Sequence, residues 1–250
     1  MQLIYGKHTE RYAKRMAEGH KNRDIVIGVG GGSVIDAAKL AAKPSRCIAV
    51  PTTASGSACT SFAVIWLKDR KISVDTPIPI LKEYKGRINL PANVRQSTMF
   101  DCLSHAFESL WSNNATNKSR RYALNAIKKA STIKNDNDLV EAGNIAGKAI
   151  NITRTNIVHA MSYPLTLRCG IDHGTACAIL LPHVMEYMDA SESAINDVKS
   201  LYASPLPKIK ICPAAIASDA MSYEQINDTS VRIHKKDVVK ILEEANRCLK

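Results

Sequence analysis

The sequence predicts a two-part protein: an N-terminal α/β region built on an incomplete parallel sheet, followed by an all-helical region. Three observations carry that expectation. Short apolar runs at residues 25–27 (IVI) and 47–51 (CIAVP) each lead into a turn rich in Gly, Ser or Thr, as fully buried strands of a parallel sheet do. From Pro91 onward apolar residues recur at helical spacing with little interruption. Hydrophobic residues make up 45% of 250, enough for a sizeable core, and at 5% aromatics that core must be packed by aliphatic side chains and Ala.

Taken in order, residues 8–22 are polar with helical spacing, Tyr12, Met16 and Ala17 falling on one side. The strand at 25–27 follows. Gly28, Gly30, Gly31 and Gly32 form the turn after it, and Ser33 is placed to cap the helix VIDAAKLAAK. Pro44 ends that unit. The strand at 47–51 runs into the loop TTASGSACT, and residues 62–66 and 71–75 read as two further strands joined by the charged turn 67–70. After Pro77 and Pro79 the character changes. Helices are expected at 93–112, 119–131, 138–151, 157–167 and 174–188, an irregular stretch at 190–229, and a last basic helix at about 235–249. The expected division is an α/β domain over residues 1–88 and a helical domain over 89–250, with a cleft between them suited to a cofactor.

Bulk properties narrow the function. No run approaches about 18 apolar residues, so no membrane span is expected, and the start lacks the apolar stretch of a signal peptide. A cytoplasmic enzyme is the expectation. The seven cysteines form no CxxC pair and read as reduced core fillers. The net charge of +11 is spread over scattered Lys and Arg with no nucleic-acid-reading motif beside them. Solvated helix faces account for most of it, with a slight preference for an anionic metabolite.

Four residues stand out. Asp101 and His105 lie four apart in FDCLSHAFESL, so a helix puts carboxylate and imidazole on one face. Cys102, one residue on, faces away. His159 and His173 bracket HAMSYPLTLRCGIDH. One carboxylate and three imidazoles make a borderline-hard donor set that suits Fe(II) or Zn(II) and leaves positions open for a substrate. Glu108 either supports that set or is a helix-face charge, and Asp172 either orients His173 or caps the next helix. His183 reads as a packed residue near the site. The strand, Gly-rich turn and helix start at GVGGGS can cradle a pyrophosphate, although many tight βα turns use Gly for steric reasons alone. A second Ser/Thr/Gly loop after the next strand strengthens the nucleotide reading.

Together GGGSVIDAAK, PTTASGSACTSFAVIW, DCLSHAFESLWS and HAMSYPLTLRCGIDHG, followed by ILLPHVMEY, resemble the iron-dependent (group III) alcohol dehydrogenases over about residues 8–190. The resemblance implies a dehydroquinate synthase-like fold: a dinucleotide-binding α/β domain plus an all-α domain, with a metal in the cleft. It implies that Asp101, His105, His159 and His173 bind Fe(II), or Zn(II), and that Gly30, Gly31, Gly32 and Ser33 hold the pyrophosphate of NAD(P)H. Thr52, Thr53 and Ser57 would line the nicotinamide-side phosphate and ribose, and Lys71 would contact the ribose. The wording NITRTN, HAMSYPLT and GIDHG is most similar to the phosphonoacetaldehyde reductases. Where many members carry a histidine four residues after the third ligand, Tyr163 stands here. Its ordinary pKa near about 10 makes it a hydrogen-bond donor or proton relay rather than a base. Arg154 and Arg168 offer guanidinium forks for a phosphonate, or ordinary salt bridges.

The resemblance also has gaps. The family's first strand, its glycine turn and the acidic residue for the adenine ribose have no counterpart. Ala58 replaces an expected Glu, residues 78–90 match poorly, and the helices at 127–139 and the tail after 190 are shortened. The implied activity is reduction of a small anionic aldehyde by hydride from NAD(P)H, possible as a homodimer. Glycerol dehydrogenase or dehydroquinate synthase-type chemistry and a non-catalytic metal-binding remnant are the alternatives.

Overall fold

The computed structural model describes residues 2–4, 25–42 and 46–249. Strands β1 (Gln2–Ile4), β2 (Ile25–Gly30), β3 (Arg46–Pro51) and β6 (Ile80–Leu81) pair in parallel in the order β1-β2-β3-β6. The sheet forms because β2 and β3 bury alternate residues, Val26 and Cys47 among them, against Val34, Ala37, Ala38 and Ala41 of helix α1 (Gly32–Ala41). Strands β4 (Phe62–Trp66) and β5 (Lys71–Asp75) form a separate antiparallel hairpin. Its charged turn is closed by Leu67 N–H donating to Arg70 O at 2.8 Å.

The helical part runs α2 (Ala92–Trp111), α3 (Asn117–Ala130), α4 (Asp136–Thr153), α5 (Ile157–Cys169), α6 (His173–Tyr187), α7 (Glu192–Lys199), α8 (Pro213–Ala220) and α9 (Lys235–Cys248). Side-chain caps start several of these, at Thr116, Asn135 and Ser191. Helices α5 and α6 are buried on nearly every side, each with an internal proline, Pro164 and Pro182. Helices that are apolar all round lie in the centre of a bundle, and these two carry half of the predicted metal ligands. The core is mainly aliphatic, with Leu103, Leu139, Met161, Leu165 and Leu180 fully buried around the single aromatic ring of Phe100 among the largest fully buried side chains.

Several expectations change. Gln2–Ile4, not anticipated as a strand, pairs with β2 in the register Leu3 with Ile27. The helix expected over 8–22 lies outside the described residues. Ser33 does not cap α1. Gly31 is the N-cap, with no side-chain cap bond, and Ser33 stands inside the first turn. The stretch 190–229 is irregular only in part: residues 200–212 carry no helix or strand, but α7, α8 and a short 3-10 turn (Glu224–Asn227) flank them. Pro213 starts α8 rather than breaking a helix, since a first-turn residue needs no N–H partner. The 78–90 segment supplies β6 on the sheet edge next to β3. Among the described residues no helix is long and apolar enough to cross a membrane.

Candidate metal centre

Three helices build the centre. In α2 the residues Phe100, Cys102, Leu103 and Ala106 go to the core, which leaves Asp101, His105 and Glu108 on one face at i, i+4 and i+7. Helix α5 brings His159 in its first turn. Helix α6 starts at His173, with Asp172 as its cap, accepting from Thr175 N–H at 3.1 Å and also from the Ser97 hydroxyl. Of the two roles open to Asp172, the structure shows the cap. The start of α6 lies against α2 so tightly that a Cβ on Gly174 would stand 2.2 Å from Ser97 O. That contact carries His173 to Asp101.

The four predicted ligands come together. Asp101 Oδ1 lies 3.6 Å from His105 Nε2, 3.4 Å from His159 Nε2 and 3.5 Å from His173 Nε2. The rings of His105 and His159 stack at 4.6 Å, and His173 meets His159 edge-on at 5.1 Å. Asp101 Oδ1 and His159 Nε2 are buried with no hydrogen-bond partner. Burying such groups unpaired costs free energy, and a cation among them removes that cost. Tetrahedral bonds of about 2.0–2.2 Å place N and O donors about 3.4 Å apart, close to the spacing found here. The residues therefore fit a divalent cation.

Glu108 is the support that sequence spacing left undecided. It is fully buried, its Oε1 accepts from His159 N–H at 3.0 Å, and its Oε2 lies 2.5 Å from His159 Nδ1. This contact fixes Nδ1 as the protonated nitrogen and turns Nε2 toward Asp101. The charges follow. Burial opposes ionisation of Asp101, but the facing imidazoles hold its carboxyl well below the usual carboxylate range. Burial pushes His105 down to about 4 and His173 down to about 3. Burial also pulls on His159, yet Glu108 and Asp101 outweigh it and lift this imidazole to about 9.

One donor was not foreseen. Cys177, one turn after His173 on α6, is fully buried with Sγ 3.9 Å from His173 Nε2. Donor atoms of Asp101, His159, His173 and Cys177 all lie within 4.8 Å of one another. The signal was present: His173 and Cys177 have the same i, i+4 spacing as Asp101 and His105.

The centre opens on a cleft of about 530 Å³. Gly32, Ser33, Thr53, Ser57 and Lys71 line it together with the predicted ligands Asp101, His105, His159 and His173. Gly30, Gly31 and Thr52 shape the turns without lining it. Gly30 takes φ 152°, and Thr52 N–H donates to its carbonyl at 2.9 Å. A network missed from sequence locks the two loops together. Lys39, 1% exposed, donates to Asp36 Oδ1 at 3.2 Å, Ser57 O at 2.9 Å and Thr60 Oγ1 at 3.0 Å, and also to Phe62 O. Asp36 accepts in turn from the Ser57 hydroxyl and from Val64 N–H at 3.1 Å. Lys71 donates to Ser73 Oγ at 2.7 Å, and its ammonium stands 4.6 Å over the Tyr163 ring. Burial lowers Lys71 to about 8.

Tyr163 lies beside the centre, stacked on His173 at 5.6 Å, with its hydroxyl accepting from Gln225 Nε2 at 3.2 Å. Burial raises its phenol further above the ordinary value, so it stays protonated. Arg154 lines the cleft, its guanidinium 4.2 Å over Phe62 and Nη2 3.3 Å from Asp75 Oδ1. Arg168 is a correction. It does not line the cleft, and its Nε donates to Asp219 Oδ2 at 2.6 Å on the surface, so its salt-bridge reading holds. His183 is not near the ligands either: its Nδ1 faces Glu186 Oε2 at 3.8 Å.

Comparisons with known proteins agree with this layout. The family described as iron-containing alcohol dehydrogenase matches residues 6–80, and its C-terminal counterpart, the Fe-containing alcohol dehydrogenase family, C-terminal, matches residues 96–204. The chain is similar to the phosphonoacetaldehyde reductase of Streptomyces viridochromogenes, at 31% identity over 67% of this chain and 54% of that protein. It is also similar to long-chain-alcohol dehydrogenase 1 of Geobacillus thermodenitrificans, at 31% over 67% of this chain and 52% of that one. The chain thus spans about half the length of these curated relatives. Among solved structures, sulfoacetaldehyde reductase from Bifidobacterium kashiwanohense in complex with NAD+ superposes with TM-score 0.84 at 21% identity, over 97% of this chain and 82% of that chain. An iron-containing alcohol dehydrogenase from Thermotoga maritima superposes with TM-score 0.80 at 23% identity, over 98% and 82%. With both halves matched and the acid and three histidines converging in the cleft, the chain belongs to the iron-containing alcohol dehydrogenase family.

Proposed function

We propose that this chain is a metal-dependent oxidoreductase that transfers hydride between NAD(P)H and a small aldehyde or alcohol, with phosphonoacetaldehyde as the favoured aldehyde. The observation that supports it most is the convergence of Asp101, His105, His159 and His173, with unpartnered buried donor atoms, at the end of a cleft lined by two nucleotide-type loops. These four residues would hold Fe(II) or Zn(II). When bound, the cation supplies Lewis acidity to a carbonyl oxygen and the dinucleotide supplies hydride.

The chain's own residues prepare that chemistry. Glu108 fixes the tautomer and aim of His159. The amides at the start of α1, at Gly32 and Ser33, are free to meet a pyrophosphate. The Lys39–Asp36 pair holds Ser57 in the cleft wall. Trp66 packs against Tyr163 at 5.8 Å and against His173 at 5.5 Å, forming an aromatic wall of the cleft beside the ligands. Tyr163 Oη keeps its proton and can donate it toward an oxygen in the cleft. Arg154, 44% exposed at its side chain, can exchange Asp75 for a phosphonate, which together with the named relative supports the anionic aldehyde.

The test is metal analysis of protein purified without oxygen, paired with an aldehyde panel that includes phosphonoacetaldehyde, run with NADH and with NADPH. The expected result is one bound cation and turnover, both lost in His159→Ala. A fully active His159→Ala enzyme overturns the reading. Failure of either dinucleotide to bind at millimolar concentration would favour a non-catalytic remnant.

A further inference from the structure

We infer that Cys177 is a metal ligand, giving the centre a second donor set, Asp101, His159, His173 and Cys177, that overlaps the four-residue set containing His105. The inference rests on the proposed function only in assuming that a cation binds among these residues.

Helix geometry supplies the first argument. His173 and Cys177 are i and i+4 on α6, so imidazole and thiol point at one spot. The Sγ to His173 Nε2 distance is 3.9 Å. With bonds of about 2.3 Å to sulfur and about 2.0–2.1 Å to nitrogen, tetrahedral S and N donors lie about 3.6 Å apart. A shift of a few tenths of an ångström, smaller than a rotamer change, closes the difference.

The unpartnered atoms supply the second argument. Asp101 is 8% exposed and His159 2% exposed, yet Asp101 Oδ1 and His159 Nε2 bond to nothing. Both residues cluster with Cys177, since one donor atom from each of Asp101, His159, His173 and Cys177 lies within 4.8 Å of the others. His105 stands beside this set, with Nε2 3.6 Å from Asp101 Oδ1. The centre therefore offers five donors where a closed tetrahedral site uses four. A buried thiol with no solvent contact is no use as a nucleophile toward a bulky reagent. The thiol sits among three metal-type donors, with the Ser162 and Ser104 hydroxyls as its other polar neighbours.

Chemically the step is a ligand exchange without redox change. The Sγ–H bond breaks, an S–metal bond would replace a metal–water bond, and the proton and that water leave to solvent, one of each per thiol engaged. A sulfur donor favours thiophilic cations such as Zn(II), Co(II) and Cd(II) over Mn(II) and Mg(II). The centre is thus biased by Cys177 toward the softer end of the divalent series.

Anaerobic titration of the metal-free full chain with Co(II) tests this. The expected result is an intense sulfur-to-cobalt charge-transfer band in the near ultraviolet at one equivalent. The band is absent from Cys177→Ser, while the weaker ligand-field bands persist through the His105 set, and it is retained in His105→Ala. Zn(II) affinity of Cys177→Ser falls at least tenfold while Mn(II) affinity is unchanged. Should Cys177→Ser not fold, the 113Cd resonance of the wild-type chain decides: a strong downfield shift marks the thiolate, and a nitrogen- and oxygen-type shift overturns the inference. Co(II) binding with ligand-field bands but no charge-transfer band, or a band that survives Cys177→Ser, also overturns it and leaves the proposed function standing. No Co(II) uptake at all overturns both.

Discussion

Replacing Gly147 with Ala tests how the nucleotide loop is seated. Helix α4 meets the loop between β3 and β4 backbone to backbone. A Cβ on Gly147 would stand 2.2 Å from Gly56 O and 2.8 Å from Gly56 Cα, and one on Gly143 would stand 2.4 Å from Ala54 Cα. Ordinary C···O contacts begin near about 3.3 Å, so the loop must retreat by about 1.1 Å. Backbone cannot swing aside as a side-chain tip can. The retreat pulls on Lys39 Nζ, 2.9 Å from Ser57 O, and on the Ser57 bond to Asp36. Overpacking of this kind costs about 1–3 kcal/mol, and a weakened bond to a charged group adds to that. Against it, Ala gains up to about 1 kcal/mol over Gly in a helix. The clash wins, and Gly147→Ala is expected to destabilise the chain by about 1–3 kcal/mol, lowering Tm by about 2–12 °C for a chain of this length. Dinucleotide affinity should fall with it, because the displaced loop lines the cleft, while Co(II) uptake is kept by α2, α5 and α6. Calorimetry, NADH fluorescence titration and Co(II) absorbance read the three effects. A Gly147→Ala chain as stable as the parent or more so, as an exposed helix position would give, refutes the seating of the loop on α4.

Three other perturbations test the same geometry. Glu108→Gln keeps the shape but removes the anion that orients His159, so cation affinity should drop about 10–100-fold by calorimetric titration; an unchanged affinity would mean that His159 is aimed by packing alone. Lys39→Met leaves Asp36 buried without its countercharge, and urea unfolding should show a loss of about 3–5 kcal/mol; a loss under about 1 kcal/mol would sink the loop-locking role. Without a cation, stability should peak near neutral pH. His105 and His173 have folded values near 4 and 3, so the unfolded chain binds more protons below its own value of about 6.5, and stability falls as pH drops. His159 is raised to about 9, so its contribution is complete below about 6.5 and is lost as pH rises toward 9. Lys71, lowered to about 8, acts in the opposite direction only above that pH. Urea midpoints of chelator-treated protein that rise steadily from pH 5 to pH 8 would contradict this.

What could be read from the chain in advance was local. The spacing of Asp101 and His105 fixes their common face because helix geometry does, and Glu108 at i+7 extends it. Strand, glycine turn and helix start gave the β2–α1 unit for the same reason, although the cap fell on Gly31 rather than Ser33. The short helices α7 and α8 were missed because eight residues carry little periodic signal, and a proline such as Pro213 can break one helix or start the next. His183 was read as a packed residue near the site, but it lies on α6 well beyond the turn that carries His173, with Nδ1 facing Glu186.

The sequence by itself determined the family, the α/β-then-helical order, and the identity of the acid and three histidines, since each depends on residue type and on spacing within one element. Tertiary structure alone decided that Arg168 turns to Asp219 while Arg154 faces the cleft, that Lys39 is buried among the carbonyls of the neighbouring loop, and that the Cys177 thiol, beside the His173 imidazole, lies within 4.8 Å of donor atoms of Asp101 and His159. Those outcomes depend on distances between separate elements. Such distances are set by how closely helices and loops can approach, at Gly147 on Gly56 and Gly174 on Ser97, and no spacing along one segment encodes them.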